Sequence, residues 1–301
     1  IGALLRTADA ANIDAVFISV PPKLAPAYVN LALEKKLHVF CEKPPGRSLE
    51  DIARVMCVEK KHPCSRLVYG FNHRYHDSVQ DTLKIIRSEE LGRIINLRGV
   101  YGKSKIITFN QTDWRTKRVI AGGGVLLDQG IHMVDLMRLF AGEFTSVKSI
   151  VTNSHWGYDV EDNAYALMQT ADGIVGMFNS SATQWRHRFN LDINFERGSV
   201  ILGGLLTGTK SYGAETLTVA TVDHDADNGD PKEQVTRYNR DTSWELEINQ
   251  FADCILKDAP IEHGASRDAF NTMKLVNQIY YADPAWRDQF QISNPEDVNY
   301  E

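Results

Sequence analysis

Apolar residues follow two different rhythms along the chain. Up to about residue 72, short unbroken apolar runs alternate with stretches of helical spacing. "DAVFISV" (14 to 20) is apolar and β-branched, bounded by Asp14 and the Pro21-Pro22 pair, the pattern of a strand buried on both faces of a parallel sheet. "PAYVNLALEKK" (26 to 36) has helical spacing and "LHVFCE" (37 to 42) reads as the next strand. "LEDIARVMCVEKKH" (49 to 62) and "RLVYGFN" (66 to 72) repeat the unit. Such β-α-β alternation predicts a doubly wound parallel sheet whose ligands lie beyond the carboxyl ends of its strands.

After about residue 90 the pattern becomes that of strands joined by tight turns. "GRIINLRGVYG" (92 to 102), "VKSIVTNSHW" (147 to 156), "NAYALMQTADGIVGMFNSSATQ" (163 to 184) and "FNLDINFERGSVILGG" (189 to 204) predict a large, mostly antiparallel open sheet, with turns at "ADG" and "ERG". One long helix is expected at "GVLLDQGIHMVDLMRLFAG" (124 to 142), stopped by Gly142. Residues 222 to 242 read as a polar loop, and 243 to 256 as a terminal amphipathic helix. The fold class is therefore α/β: a partial Rossmann doubly wound sheet in residues 1–72, and an α+β substrate-binding and oligomerisation domain in residues 73–301. Too few helical segments remain to cover both faces of the sheet at 147 to 204. "YALMQ" and "IVGMF" keep apolar residues on both faces, so the bare face is expected to pair subunits into a homodimer or homotetramer.

Composition narrows the partners. The chain of 301 residues is long enough for two cores, and a net charge of −6 without a basic stripe argues against a nucleic-acid binder. No apolar run approaches the roughly 20 residues of a membrane span, and no signal-peptide pattern precedes the first strand. Cys41, Cys57, Cys64 and Cys254 form no CxxC pair, so neither a disulfide framework nor a structural zinc is expected, and a reducing cytoplasm fits. The chain opens without Met, inside a helical pattern, and reads as a fragment or as the ordered part of something longer.

Two stretches offer chemistry. In "VFCEKPPGRS" (39 to 48), Lys43 follows a strand and precedes two prolines. The Lys-Pro step disfavours the α region, so Lys43 is not part of an ordinary helix face. In the long helix, Asp128, His132 and Asp135 fall at i, i+4 and i+7 and are expected on one face, opened by "AGGG", which lets another chain or a ligand approach. D-x-x-x-H supplies two metal ligands but no third is marked nearby, so no metal site is expected.

"CEKP" after a β-α-β unit, followed about 80 residues later by "GGGVLLDQGIHMVDL", resembles the Gfo/Idh/MocA family over nearly the whole chain. The resemblance implies an NAD(P)-dependent sugar or inositol oxidoreductase. It implies that Lys43, Asp128 and His132 are catalytic, and that Ser19, Val20, Pro21, Glu42, Lys43 and Pro44 meet the nicotinamide half of NAD or NADP. His132 would take the hydroxyl proton, Lys43 hold the same oxygen, and Asp128 bind a neighbouring hydroxyl or orient His132. Two departures stand out. Ala25 occupies a position where a histidine is common, and no strand-GxGxxG-helix segment occurs, so the pyrophosphate cradle is expected outside these residues. A second reading of the same resemblance is an NAD-dependent glycosidase with no net redox change. A third is a non-catalytic sugar or nucleotide sensor, against which the three catalytic-type residues together count.

Three further segments are candidates for substrate contact: Asn72, His73 and Arg74 in "GFNHRYHDS"; Arg115 and Arg118 in "DWRTKR"; and Trp185, Arg186 and His187 in "TQWRHRF". Trp185 suits stacking on a pyranose, and the cationic groups suit a carboxylate or phosphate, which leans toward an anionic or nucleotide-linked sugar.

Overall fold

The computed structural model describes residues 13–105, 114–222 and 229–300. Three parallel strands, β1 (Ala15–Ile18), β2 (His38–Glu42) and β3 (Leu67–Gly70), lie in the order β1-β2-β3. Ile18 stands opposite Cys41, and Cys41 opposite Tyr69. The crossovers are helices α1 (Ala25–Glu34) and α2 (Leu49–Glu59). Pro26 sits in the first turn of α1, where its fixed φ suits the helix and its missing N–H is not needed. Val29, Ala32 and Leu33 of α1 and Ile52, Val55 and Met56 of α2 bury in one core with Val39, Leu67 and Tyr69. Each strand stops where proline or glycine ends its pairing, so Ser19–Pro22, Lys43–Gly46 and the turn after Gly70 line one rim.

The second sheet has eight strands, β4 (Ile94–Gly102), β5 (Phe144–Thr152), β6 (Asn163–Thr170), β7 (Val175–Ser181), β8 (Arg188–Phe195), β9 (Gly198–Gly203), β10 (Glu215–Thr221) and β11 (Glu233–Tyr238), in the order β11-β10-β9-β8-β4-β7-β6-β5. All neighbours are antiparallel except β4 and β7. Helices α3 (Asp77–Ser88), α4 (Arg118–Ala121), α5 (Ile131–Ala141), α6 (Ser243–Leu256), α7 (Ser266–Ala282) and α8 (Pro284–Phe290) complete the molecule. α5 presses onto β4 at Gly99, where a Cβ would stand 2.7 Å from the Met133 sulfur. The opposite face leaves Ile150, Tyr165, Leu167 and Met177 exposed. No helix among the described residues is long and apolar enough to cross a membrane.

Four differences from the sequence reading have physical causes. β11 lies inside the stretch read as a loop. It is an edge strand with five exposed residues, paired only with β10, so it needs no apolar alternation. The helix expected to be terminal, α6, is followed by α7 and α8. From Gly264 the chain returns to the small sheet, where its carbonyl accepts the Tyr69 N–H at 2.8 Å and Ala265 bridges Val68. The C-terminal segment thus packs on the first sheet. Finally, the helix expected from 124 begins as a π turn, Leu126–Gly130, before α5 takes over.

Candidate active site

The π turn is pinned at its start by a buried carboxylate. Glu161 accepts the N–H of Gly124 at 2.7 Å, the N–H of Leu126 at 2.9 Å and the Tyr280 hydroxyl at 2.8 Å, and so satisfies donors that an opening helix leaves free. Gly124 is required for this approach, since a Cβ there would stand 2.1 Å from the Glu161 carbonyl. A π turn closes i to i+5, which rotates Asp128 away from the helix face it would otherwise share with Asp135.

Asp128 faces the strand ends. Lys43, held by buried Pro44 and Pro45 at the end of β2, donates through Nζ to the Asp128 backbone carbonyl. The Asp128 carboxylate accepts from Lys103 Nζ at 2.8 Å and lies 3.5 Å from Arg115 Nε, whose guanidinium stacks 4.3 Å over Trp114. Burial alone would raise the Asp128 pKa, but Lys103, Lys43 and Arg115 hold it well below the usual carboxylate range. Burial lowers the Lys43 pKa, while Asp128 and Glu42 oppose that shift. Sequence reasoning missed Lys103. Its signal was a lysine directly after the apolar strand "GVYG", and it is 6% exposed.

His132 follows one turn on. Its ring lies face to face on His73, with centroids 3.7 Å apart, and its Nδ1 is buried without a hydrogen-bond partner among the described residues. Burial first, then the charges of Lys43 and His76, push its pKa well below the ordinary value, so it is neutral. His73 is likewise pushed down, by burial and then by His132.

The structure corrects several substrate expectations. Asn72 uses its amide on His73 Nδ1 (3.1 Å) and Ser243 Oγ (3.2 Å), and His73 Nε2 pairs with the Tyr101 hydroxyl at 3.1 Å. Both residues are buried with their polar atoms engaged, and they support the His132 ring from behind. Arg74 binds Asp135 through Nε (2.7 Å) and Nη2 (2.6 Å), and Asp268 through Nη1 at 2.5 Å. It is 3% exposed, so it ties α5 to α7 and has no donor turned to a ligand. Asp135 also accepts from Thr272 at 2.8 Å and so is engaged away from Asp128 and His132, with which it was expected to share a helix face. Arg118 packs over the rings of Tyr280, Trp286 and Phe290. Trp185 and Arg186 are exposed on the loop between β7 and β8, with the Trp185 ring against His155 at 5.2 Å. His187 contacts Ser104 Oγ at 3.1 Å and lies 5.1 Å from Tyr212. The Tyr212 hydroxyl donates to Gln129 beside Asp128 at 3.1 Å. Tyr212 and Tyr101, which the sequence did not mark, thereby wall the site on the side of the large sheet.

Toward the small sheet, Ser19 is exposed and Val20, Pro21, Glu42 and Lys43 are half-buried. A narrow cleft between Pro22, Pro44, Trp114 and Asp128 joins this strip to the catalytic-type residues. Flat proline faces beside a recessed ammonium fit a nicotinamide ring. Ala25, at the start of α1, is buried and offers no polar atom.

Residues 3–71 match the family described as "Oxidoreductase family, NAD-binding Rossmann fold", and residues 79–201 match "GFO/IDH/MocA C-terminal domain", together more than half of the chain. Levoglucosan dehydrogenase of Pseudarthrobacter phenanthrenivorans is 28% identical over 223 residues, 64% of this chain and 56% of that protein. Glucose-6-phosphate 3-dehydrogenase of Bacillus subtilis is 34% identical over 154 residues, 50% of this chain and 43% of that protein. The chain therefore spans about half the length of these relatives. A solved levoglucosan dehydrogenase in complex with NADH and levoglucosan superposes with a TM-score of 0.81 at 20% identity, covering 94% of this chain and 81% of that one. The two family matches, with Lys43, Asp128 and His132 converging between the two sheets, identify the chain as a member of the Gfo/Idh/MocA oxidoreductase family.

Proposed function

We propose that the protein is an NAD(P)-dependent oxidoreductase that interconverts a hydroxyl and a keto group on a sugar, an inositol or a nucleotide-linked sugar. The observation that carries this reading is the meeting of Lys43, from the rim of the small sheet, with the backbone of Asp128, one turn before a neutral buried histidine.

Ser19, Val20, Pro21 and Glu42 to Pro44 would hold the nicotinamide half of the dinucleotide, which when bound supplies the hydride acceptor or donor. His132 is neutral at physiological pH and is thus ready to accept the hydroxyl proton. Lys43 donates to the same oxygen and stabilises the negative charge that grows on it. Asp128 stays ionised and holds Lys103 and Arg115 beside the site, and the His73 stack fixes the plane of the His132 ring. Lys43, Lys103 and Arg115 outnumber the Asp128 and Glu42 carboxylates beside them among the described residues, which favours a sugar carrying a carboxylate or phosphate. The relative that acts on glucose 6-phosphate agrees with that leaning. Cys41, Cys57, Cys64 and Cys254 are all free, which suits a reducing cytoplasm. The exposed Ile150, Tyr165, Leu167 and Met177 line a groove of about 480 Å³ on the bare sheet face, and a second copy of the chain is the partner we assign to it. Sedimentation showing only monomer at micromolar concentration would refute that assembly.

The activity is tested by following reduced nicotinamide with a panel of neutral sugars, sugar acids and sugar phosphates. Lys43→Ala and His132→Ala are each expected to lower kcat by roughly 10²-fold or more, the scale of positioned acid-base catalysis, with unchanged unfolding midpoints. Native turnover in both variants would sink the assignment.

A further inference from the structure

Three glycines in a row, Gly122 to Gly124, form a junction into which three other elements press. A Cβ on Gly122 would stand 2.5 Å from the Arg47 backbone, one on Gly123 2.2 Å from the Tyr280 hydroxyl, and one on Gly124 2.1 Å from the Glu161 carbonyl. Arg47 closes the loop that follows Lys43, and its Nη1 donates to the Val119 carbonyl at 3.2 Å. Tyr280 comes from α7, and Glu161 from the loop before β6. The loop carrying Lys43, the C-terminal helices and the large sheet therefore meet on one short segment, directly before the π turn.

Glu161 is fully buried and takes the N–H groups of three successive residues. Its carboxyl oxygens accept from Gly124 and Leu126, and its backbone carbonyl accepts from Val125 at 3.2 Å. A helix opening leaves such groups to solvent or to an anionic ligand; here one residue of the chain occupies them. Burial raises the Glu161 pKa, while the Gly124 amide, the Tyr280 hydroxyl and the Arg118 charge oppose that shift. Further on, the Asp128 N–H still bonds to the Gly124 carbonyl at 2.8 Å in the ordinary α pattern, before the π turn gives way to α5. Where i+5 closure returns to i+4 closure, the helix ladder passes over one carbonyl. The Asp128 carbonyl lies in that stretch, and it accepts Lys43 Nζ. In an uninterrupted α-helix it would take the His132 N–H instead.

We propose that Glu161 is a positioning residue for the reaction: by fixing the π turn it presents the Asp128 carbonyl to Lys43, and so sets where the ammonium stands relative to His132. Tyr280 supports it from α7 through the hydroxyl bond to the same carboxyl. The effect on turnover rests on the oxidoreductase reading, whereas the hold on Lys43 does not. The charged and titratable groups that face Lys43 are Asp128 on the π turn, His132 on α5, Glu42 on its own strand, Lys103 after β4, Arg115 before α4 and His73 after β3. Substituting Glu161 changes none of them, so a shift in the Lys43 titration reports the turn.

The test is a ¹³C NMR titration of the lysine side chains in the full chain, with Lys43→Arg used to assign the signal, on two variants. Glu161→Gln turns a donor toward one of the turn's N–H groups, and Glu161→Asp keeps the charge but draws both oxygens back by one methylene. Losing the carbonyl acceptor disfavours the ammonium, so the Lys43 midpoint is expected to fall in both variants, by about half a unit to one unit, the worth of one neutral acceptor. A midpoint that stays in place in both overturns the proposal, and so does a fall in Glu161→Gln alone, which is an effect of charge. If Glu161→Gln does not fold, Glu161→Asp decides by the same reading. In the activity arm, kcat falls on the order of 10²-fold in Glu161→Gln, the scale of a misplacement of about 1 Å, and by less in Glu161→Asp, with KM for the dinucleotide unchanged. A purely structural role lowers the folded fraction and moves neither the Lys43 midpoint nor the kcat of the folded protein, and native kcat in both variants overturns the role in the reaction. If no sugar supports hydride transfer, the functional reading fails, and the lysine titration still decides the hold on Lys43.

Discussion

Two carboxyl groups, those of Asp128 and Glu247, are held by the protein in opposite states. Asp128 lies among Lys103, Lys43 and Arg115 and is driven well below the usual carboxylate range; Glu247 meets no cation and is pushed up to about 8. Burial works in the same direction on both. The company each keeps decides the outcome, as expected where desolvation and local charge compete. The consequence is a permanent anion, Asp128, beside Lys43 on the substrate side.

A third buried carboxylate shows what happens when a cation is taken away. Asp135 is 1% exposed and is held by Arg74. Arg74→Met is expected to leave both Asp135 and Asp268 short of their partner and to lower stability by about 3–5 kcal/mol in urea unfolding, the cost of breaking a buried pair from one side. A loss below about 1 kcal/mol, the level of an exposed pair, would contradict the buried assignment.

Glu247→Gln removes the opposite kind of group. A carboxyl whose folded pKa of about 8 exceeds the ordinary value of 4.5 contributes stability below the unfolded pKa and loses it as pH rises through the folded one. The variant should therefore gain on the native protein as pH climbs from about 4.5 to about 8, by up to roughly 4–5 kcal/mol at about 1.4 kcal/mol per unit. Thermal melts across that window read it, and a pH-independent difference would contradict it.

Lys103→Met has the smallest expected effect, because Lys43 and Arg115 remain beside Asp128. The depressed Asp128 pKa moves up toward 3.8. Its stabilising contribution, present above the unfolded pKa and lost as pH falls through the folded one, shrinks by roughly 1–2 kcal/mol. Turnover falls about tenfold, the equivalent of some 1.4 kcal/mol, and the acidic limb of the pH profile shifts upward. A variant that matches native turnover and acid stability would separate Lys103 from the site.

What was legible in the sequence follows from how far each signal reaches along the chain. Strands β1 to β3 announce themselves because their apolar runs are unbroken, although only β2 and β3 are buried on both faces and Phe17 of β1 is exposed. Lys43 stands out because two prolines follow it. The spacing of Asp128 and His132 was legible, but the π turn that separates Asp128 from Asp135 was not, since it depends on Glu161 docking from the loop before β6. Arg74 reads as a free cation until α7 brings Asp268 to it. Glu247 is one polar position in an amphipathic helix until α6 folds over the turn after β3. β11 carries no apolar alternation at all because its pairing is made by backbone alone.

The central claim is that Lys43 and His132 serve hydride transfer between a sugar carbon and nicotinamide. The most direct measurement uses a sugar substrate carrying deuterium at the reacting carbon, with NAD or NADP, and looks for the label by mass spectrometry of the nucleotide. The account predicts deuterium on the nicotinamide of the released cofactor in the native protein, and its loss in Lys43→Ala and His132→Ala. Sugar converted with the label washed into solvent or retained, and no label on released nucleotide, would contradict it.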